Sequence, residues 1–102
     1  MEHAIHHCVY KLKKSANVEE FLAAAKALND GYIAKQNGYV KWEQFRDGDT
    51  WADAITFNTM DDLKAFEAAS ENPEALALNF YAFINMPSCK VNRFTLLASH
   101  SY

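Results

Sequence analysis

The chain has 102 residues, of which 50% are hydrophobic and 23% are charged, so it suits one globular domain, 1–102, and not a disordered segment. It carries 13 acidic and 10 basic residues, for a net charge of −3. This balance excludes the basic surface that is typical of nucleic-acid binding or of attachment to a membrane surface. No apolar run approaches the ~18 residues of a membrane span. We therefore expect neither a nucleic acid nor a membrane as a partner.

The cysteines and the first residues of the chain indicate its compartment. Cys8 and Cys89 are the two cysteines of the sequence, too few for a disulfide framework. The first residues show neither the basic nor the apolar region of a signal peptide. We therefore expect a cytoplasmic protein in which both thiols are reduced.

Aromatic and β-forming residues over 3–13 predict the first strand. Because strand side chains alternate, this segment has two faces. One face carries His3, Ile5, His7 and Val9, and the other carries Ala4, His6, Cys8, Tyr10 and Leu12. Neither face is polar throughout, so we expect both to be covered.

Asn17, followed three residues later by Glu20, is typical of a helix start. Apolar residues at helical spacing extend this helix to about residue 36, and Gly31 marks a break near its end. Residues 39–46 and 50–58 predict two strands joined by a tight turn.

The third strand also has two different faces. Trp51, Asp53 and Phe57 share one face with Ile55, whereas the other face carries small residues. We expect helices to pack against the small residues, since these allow close approach.

Thr59 with Asp62 predicts the start of a second helix, and Pro73 predicts the first position of a third helical piece. Residues 89–97 predict the last strand. The order β-α-β-β-α-β, with its second helix split, is the α+β ferredoxin-like arrangement. Helices cover one face of such a sheet, so we expect the other face to meet a second copy. The resulting homodimer would close a barrel around a cavity.

The sequence resembles the antibiotic-biosynthesis-monooxygenase-like group of the dimeric α/β-barrel superfamily over nearly its whole length. The matching segments are 37–39 (Asn-Gly-Tyr), 51–57 (Trp-Ala-Asp-Ala-Ile-Thr-Phe) and 59–63 (Thr-Met-Asp-Asp-Leu). The resemblance implies oxygenation of electron-rich aromatics without a metal or an organic cofactor. Other members of that group degrade haem, or isomerise, cyclise or decarboxylate their substrates, so the resemblance is compatible with these reactions too.

The resemblance also implies positions for functional residues. His7 best matches an asparagine that faces the cavity from the first strand in haem-degrading and quinone-forming members. Phe66 stands where the haem-degrading members carry a tryptophan, and Leu78 falls near their haem-ligating histidine. Because leucine cannot ligate iron, we expect no haem, and we expect no other cofactor or metal.

His7 and Asp53 form the sharpest candidate pair for catalysis. The first and third strands are neighbours in this fold, so the two side chains could meet in the cavity. Asp53 would then orient the imidazole, and His7 would act as a general base. A buried structural hydrogen bond explains the same pair. Contact inside an open pocket would favour catalysis, whereas separation or a closed cavity would favour a non-catalytic module.

Trp42, Trp51 and Phe57 could form an apolar wall for an aromatic ligand, with Gln44 orienting a carbonyl group. The same rings would suit a dimer interface. We therefore expect a cofactor-independent enzyme for a small aromatic or enolisable compound, and the resemblance implies that it is a monooxygenase or a related enzyme. The alternative is a non-catalytic module of the same fold that binds a small ligand or another partner.

Overall fold

The computed structural model describes residues 2–101. Its strands are β1 (Ala4–Leu12), β2 (Tyr39–Asp47), β3 (Thr50–Phe57) and β4 (Ile84–Thr95). Its helices are α1 (Val18–Gly31), α2 (Met60–Ala69) and α3 (Ala75–Tyr81), and a 3₁₀ turn (Ile33–Lys35) follows α1. The four strands form one sheet in the order β2-β3-β1-β4, and neighbouring strands are antiparallel. The predicted α+β ferredoxin-like architecture is confirmed.

Both predicted helix starts are capped by side chains. Asn17 Oδ1 accepts a hydrogen bond from the backbone N–H of Glu20 at 3.0 Å. Thr59 Oγ1 accepts one from the backbone N–H of Asp62 at 3.1 Å. Each cap satisfies one of the N–H groups that the first turn of a helix leaves without a partner. The helical register of α1 and α2 is therefore fixed locally.

Two predicted boundaries were wrong. Pro73 lies outside α3, which begins at Ala75 with Glu74 as its N-cap. The last strand begins at Ile84, well before the predicted residue 89. It passes through Pro87, a residue that usually argues against a strand. β4 is an edge strand whose ladder with β1 is irregular near this point, and a proline is tolerated there.

The helices cover one face of the sheet. On β1 the covered face carries Ala4, His6, Cys8 and Tyr10. On β3 it carries Trp51, Asp53, Ile55 and Phe57. The β3 assignment is the reverse of the prediction, because Ala52 and Ala54 lie on the other face. Bulky side chains fill the space between the sheet and the helices, where Phe57 and Leu63 are both 0% exposed.

No helix in residues 2–101 covers the opposite face, which we call the open face. It consists of odd-numbered residues 5–9 and 41–47 and even-numbered residues 52–56 and 90–94. Phe45 and Phe94 on this face are 52% and 49% exposed. Over the same described range, no helix is both long enough and apolar enough to cross a bilayer.

Candidate functional site

A cavity of about 350 Å³ lies between the sheet and the helices. β1 and β3 supply its floor, and the helices and β4 supply its walls. Much of the lining is apolar or aromatic, from Leu28, Ile33, Trp42, Phe66, Phe80 and Tyr81. This size and lining are typical of small-molecule sites. The cavity lies within one chain, whereas the sequence predicted a cavity at the open face, between two copies.

Asp53 is a buried carboxylate on the cavity floor, with only 5% of its surface exposed. Tyr10 Oη donates to its Oδ1 at 2.8 Å, and Gln44 Nε2 donates to the same oxygen at 3.5 Å. Within residues 2–101, Oδ2 has no hydrogen-bond partner. Burial raises the pKa of Asp53 to about 6, although the hydrogen bonds from Tyr10 and Gln44 act against the rise. Asp53 is therefore mostly ionised at neutral pH yet is more basic than an ordinary aspartate.

Trp42 brings an unsatisfied donor to the same cavity. Its ring lies edge-on to Phe80, with centroids 5.4 Å apart, and its Nε1 is buried without a partner among the described residues. The indole N–H also lowers the pKa of Asp53, although its geometry does not make a hydrogen bond to the carboxylate. A buried indole N–H normally finds an acceptor. An oxygen atom of a bound ligand would supply one.

A second polar cluster lines the cavity at His6, Glu67 and Arg93. His6 and Arg93 face each other across the ladder between β1 and β4. Glu67, from α2, joins them, with Oε2 accepting from His6 Nδ1 at 2.7 Å and Oε1 accepting from Arg93 Nε. Burial tends to raise the pKa of Glu67, but the hydrogen bonds from Arg93 and His6 outweigh burial and hold it below its usual value. Glu67 therefore stays ionised between two donors.

The structure does not bring His7 and Asp53 together. In the ladder between β1 and β3, His7 lies opposite Ala54 and Asp53 lies opposite Cys8. Their side chains consequently leave the sheet on opposite faces. His7 packs edge-on against Phe94 on the open face, with centroids 5.5 Å apart, and its Nδ1 is buried without a partner in the described part of the chain. The predicted hydrogen bond is absent, and a catalytic role for either residue stays a prediction.

The predicted aromatic wall is only partly present. Trp42 lines the cavity, and Gln44 acts there through its hydrogen bond to Asp53. Trp51 and Phe57 are 6% and 0% exposed and belong to the core. Trp51 packs edge-on against Phe21, with centroids 5.2 Å apart, and Phe57 packs against Phe66.

The two cysteines also line the cavity. The pKa of Cys8 is raised to about 12, mainly by burial and to a smaller extent by the neighbouring Cys89 and Asp53. Burial also raises the pKa of Cys89. Both thiols therefore stay protonated at neutral pH, and a protonated thiol is a poor nucleophile.

The side chains of the described residues offer no cluster of three or more His, Cys, Asp or Glu that could hold a metal ion. Leu78, at the position of the haem ligand in the resemblance, is 55% exposed and does not line the cavity. The residue at this position does not fit a haem ligand.

The fold of the chain matches solved structures, whereas neither protein-family models nor the curated proteins give a match. A point mutant of SnoaB, a cofactor-independent oxygenase from Streptomyces nogalater, is 15% identical, with a TM-score of 0.71 over 97% of each chain. A candidate antibiotic biosynthesis monooxygenase from Nitrosomonas europaea is 13% identical, with a TM-score of 0.65 over 90% of this chain and 88% of that one.

A dimeric protein of unknown function and ferredoxin-like fold from Bacteroides fragilis is also similar. It is 22% identical, with a TM-score of 0.58 over 90% of this chain and 94% of that one. At the level of the fold, these likenesses confirm the resemblance to the antibiotic-biosynthesis-monooxygenase-like group.

Proposed function

We propose that the chain is a cofactor-independent monooxygenase, or a related enzyme, that acts on a small aromatic or enolisable compound in the cavity. The observation that carries the proposal is the buried Asp53 carboxylate, which has one oxygen free of protein partners and faces an aromatic cavity. A raised carboxyl pKa in a cleft is a common mark of an acid–base group. The fold shared with the oxygenase SnoaB supports the proposal further.

Asp53 is the proposed base, and Trp42 and Gln44 are the proposed binding residues. A phenolic or enolic hydroxyl of the ligand donates to Oδ2 and passes its proton there, leaving the electron pair on the ligand oxygen. Trp42 Nε1–H donates to another oxygen of the ligand. Tyr10 and Gln44 hold the carboxylate in place through Oδ1.

The electron-rich anion then reduces dioxygen. When a methylene carbon next to the ionised ring becomes a carbonyl, it takes one oxygen atom. The second oxygen atom leaves as water with the two methylene hydrogens, so atoms and electrons balance. The chain has only to bind, orient and deprotonate the substrate.

A non-catalytic small-ligand binding or interaction module remains the second candidate. The separation of His7 from Asp53 favours it, because the predicted base and its orienting carboxylate do not meet. The open cavity favours the enzyme. The two candidates differ in whether a bound ligand is turned over.

We also propose that two copies associate through the open face. Exposed Phe45 and Phe94 on that face support this, as does the buried and unpartnered Nδ1 of His7 beside Phe94. The similar protein from Bacteroides fragilis is dimeric.

Oxygen uptake with a panel of fused-ring compounds that carry both a phenolic hydroxyl group and a ring methylene tests the enzymatic proposal. The wild type should consume oxygen and form a quinone, and kcat/KM should rise with pH through about 6, the pKa of Asp53. Asp53→Asn should still bind the ligand but lose roughly 10²–10⁴-fold in kcat, the usual contribution of a general base. Asp61→Asn, at an exposed position of α2, is the matched control.

Two results would count against this proposal. If Asp53→Asn turns over as fast as the wild type, Asp53 is not the base. If ligands bind without oxygen uptake or any change in the ligand, the binding module is the better description.

A further inference from the structure

We infer that His6 is a second proton-transfer residue of the cavity and that Glu67 is its positioning residue. The inference rests on the proposed function for the class of ligand. It rests on the His6–Glu67–Arg93 cluster for the residue that moves the proton.

The strand register places His6 and Asp53 on the same face of the sheet, which forms the floor of the cavity. Asp53 lies opposite Cys8, and His6 lies opposite Ile55, one step along the same face of β1. Diagonal neighbours on a sheet lie about 7–8 Å apart, with their Cβ atoms somewhat closer. Within residues 2–101 His6 bonds to Glu67, and Asp53 accepts from Tyr10 and Gln44, so no hydrogen bond joins His6 to Asp53 and a ligand between them can present one oxygen to each. A simple phenol has no second hydroxyl for the second residue.

The contacts of His6 fix how its ring is presented. Glu67 Oε2 receives the Nδ1–H of His6, and the ring lies edge-on to Phe66, with centroids 5.8 Å apart. In the neutral imidazole the proton therefore sits on Nδ1, and Nε2 carries the lone pair. In residues 2–101, Nε2 has no hydrogen-bond partner, and the side chain keeps 19% of its surface exposed. The His6 side chain lines the cavity, so its basic nitrogen belongs to a residue that a bound ligand can contact.

The charges of the cluster suit a proton acceptor. When a ligand hydroxyl gives its proton to Nε2, an N–H bond forms, the O–H bond breaks and the electron pair stays on the ligand oxygen. The ring becomes an imidazolium next to the ionised Glu67, which stabilises the new positive charge. Arg93 Nε donates to the other carboxylate oxygen of Glu67, Oε1, so the carboxylate keeps its position during the transfer.

A purely structural role is the competing explanation. The same contacts tie α2 to β1 and β4, and such ion pairs also occur for stability alone. Ionisation of a bound dye separates the two roles, because a structural tie would not change the charge of a ligand.

The experiment uses alizarin, a dihydroxyanthraquinone dye whose visible absorbance shifts when a hydroxyl is deprotonated. Bound to the wild type, the dye should be ionised at a pH at which the free dye is neutral. In an Asp53→Asn background, in which His6 is the remaining proposed acceptor, the bound dye should stay partly ionised. Adding His6→Gln should leave the dye bound but largely neutral, and adding Glu67→Gln should give an intermediate result. His3→Gln and Glu71→Gln, outside the cavity, are the matched controls.

Nitrogen NMR of labelled histidine gives a readout that needs no ligand. It should show the Nδ1–H tautomer of His6 in the wild type and a mixture in Glu67→Gln. With a substrate that is turned over, His6→Gln should lower kcat by roughly 10²–10⁴-fold with little change in KM.

Several results would overturn the inference: equal dye ionisation in Asp53→Asn with and without His6→Gln, an Nε2–H tautomer in the wild type, or failure of alizarin to bind. If Asp53→Asn alone abolishes dye ionisation, the proton acceptor is Asp53 and not His6. Dye ionisation that depends on His6, together with no oxygen uptake from any compound of the substrate panel, would uphold the inference and reject the oxygenase proposal.

Discussion

The Asp53 carboxyl links stability to pH. Burial raises its pKa from 3.8 to about 6, so the folded chain holds this proton more tightly than the unfolded chain does. The stabilisation from the protonated carboxyl is fully present below the unfolded pKa and is lost as pH rises through the folded pKa. A shift of this size corresponds to about 3 kcal/mol. The ionised Asp53 thus destabilises the fold at neutral pH.

Asp53→Asn should therefore stabilise the chain in a pH-dependent way. Urea unfolding should show the variant gaining up to about 3 kcal/mol relative to the wild type between about pH 4 and pH 8. Most of the gain should appear by about pH 6. Asp61→Asn, which removes an exposed carboxylate, should show no such trend. A difference between Asp53→Asn and wild type that is constant with pH would mean that the Asp53 pKa is not raised.

Gly38 is needed for both its backbone angle and its lack of a side chain. Its φ is +76°, and a Cβ there would collide with the Asp62 side chain, which accepts a hydrogen bond from Thr59 Oγ1 at 2.9 Å. Gly48 also has a positive φ, +61°, but a Cβ there would meet open space. Gly48→Ala should lower the free energy of unfolding by the ~1–2 kcal/mol that a left-handed backbone costs a residue with a side chain. Gly38→Ala should lower it by more, because the clash with Asp62 is added. Thermal unfolding of both variants measures the difference, and equal losses would show that Asp62 moves aside freely.

At the scale of elements, α3 depends on packing. It has only 7 residues, too few for a stable isolated helix. Phe80 anchors it, at 4% exposure, by stacking on Phe21 with centroids 5.1 Å apart and by its edge contact with Trp42. Phe80→Ala should cost about 3–5 kcal/mol and widen the cavity. Leu78→Ala, at an exposed position of the same helix, should stay within about 0.5 kcal/mol of the wild type. Similar losses in urea unfolding would mean that Phe80 does not anchor α3.

The elements could be predicted because their signals are local. Alternation, helical spacing and the capping residues Asn17 and Thr59 each lie within a few residues of the structure that they specify. The face of each strand that meets the helices is not a local property. Both faces of β3 carry residues that tolerate burial, so the pattern shows only which side chains share a face. A shift of one residue exchanges the two faces.

This ambiguity explains the difference between the predicted and observed sites. A histidine beside a carboxylate was predicted from β1 and β3, but the histidine on the face of Asp53 is His6 and not His7. The carboxylate that binds His6 is Glu67, which is 61 positions away in the chain. No periodicity within a single element links a helix residue to a strand residue at that distance. The position of the cavity, which depends on how the helices sit on the sheet, could not be predicted for the same reason.

At the scale of the whole molecule, the cavity and the open face lie on opposite sides of one sheet. The residues that line the cavity come from the covered face, whereas Phe45 and Phe94 lie on the open face. Association of two copies and binding of a ligand should therefore respond to different substitutions. A variant that abolishes association while it keeps dye binding would show this independence directly.

Burial of the exposed phenylalanines is the expected driving force for the dimer. Light scattering at micromolar concentration should give about twice the 11.6 kDa of one chain. Replacing Phe45 and Phe94 together by Asp would place unpaired carboxylates in the interface, which costs several kcal/mol, so the variant should be monomeric. Leu22→Asp, at a position on α1 that is 42% exposed, is the control and should remain dimeric. A stable wild-type mass near 11.6 kDa would contradict the dimer, and a dimeric double variant would place the interface away from the open face.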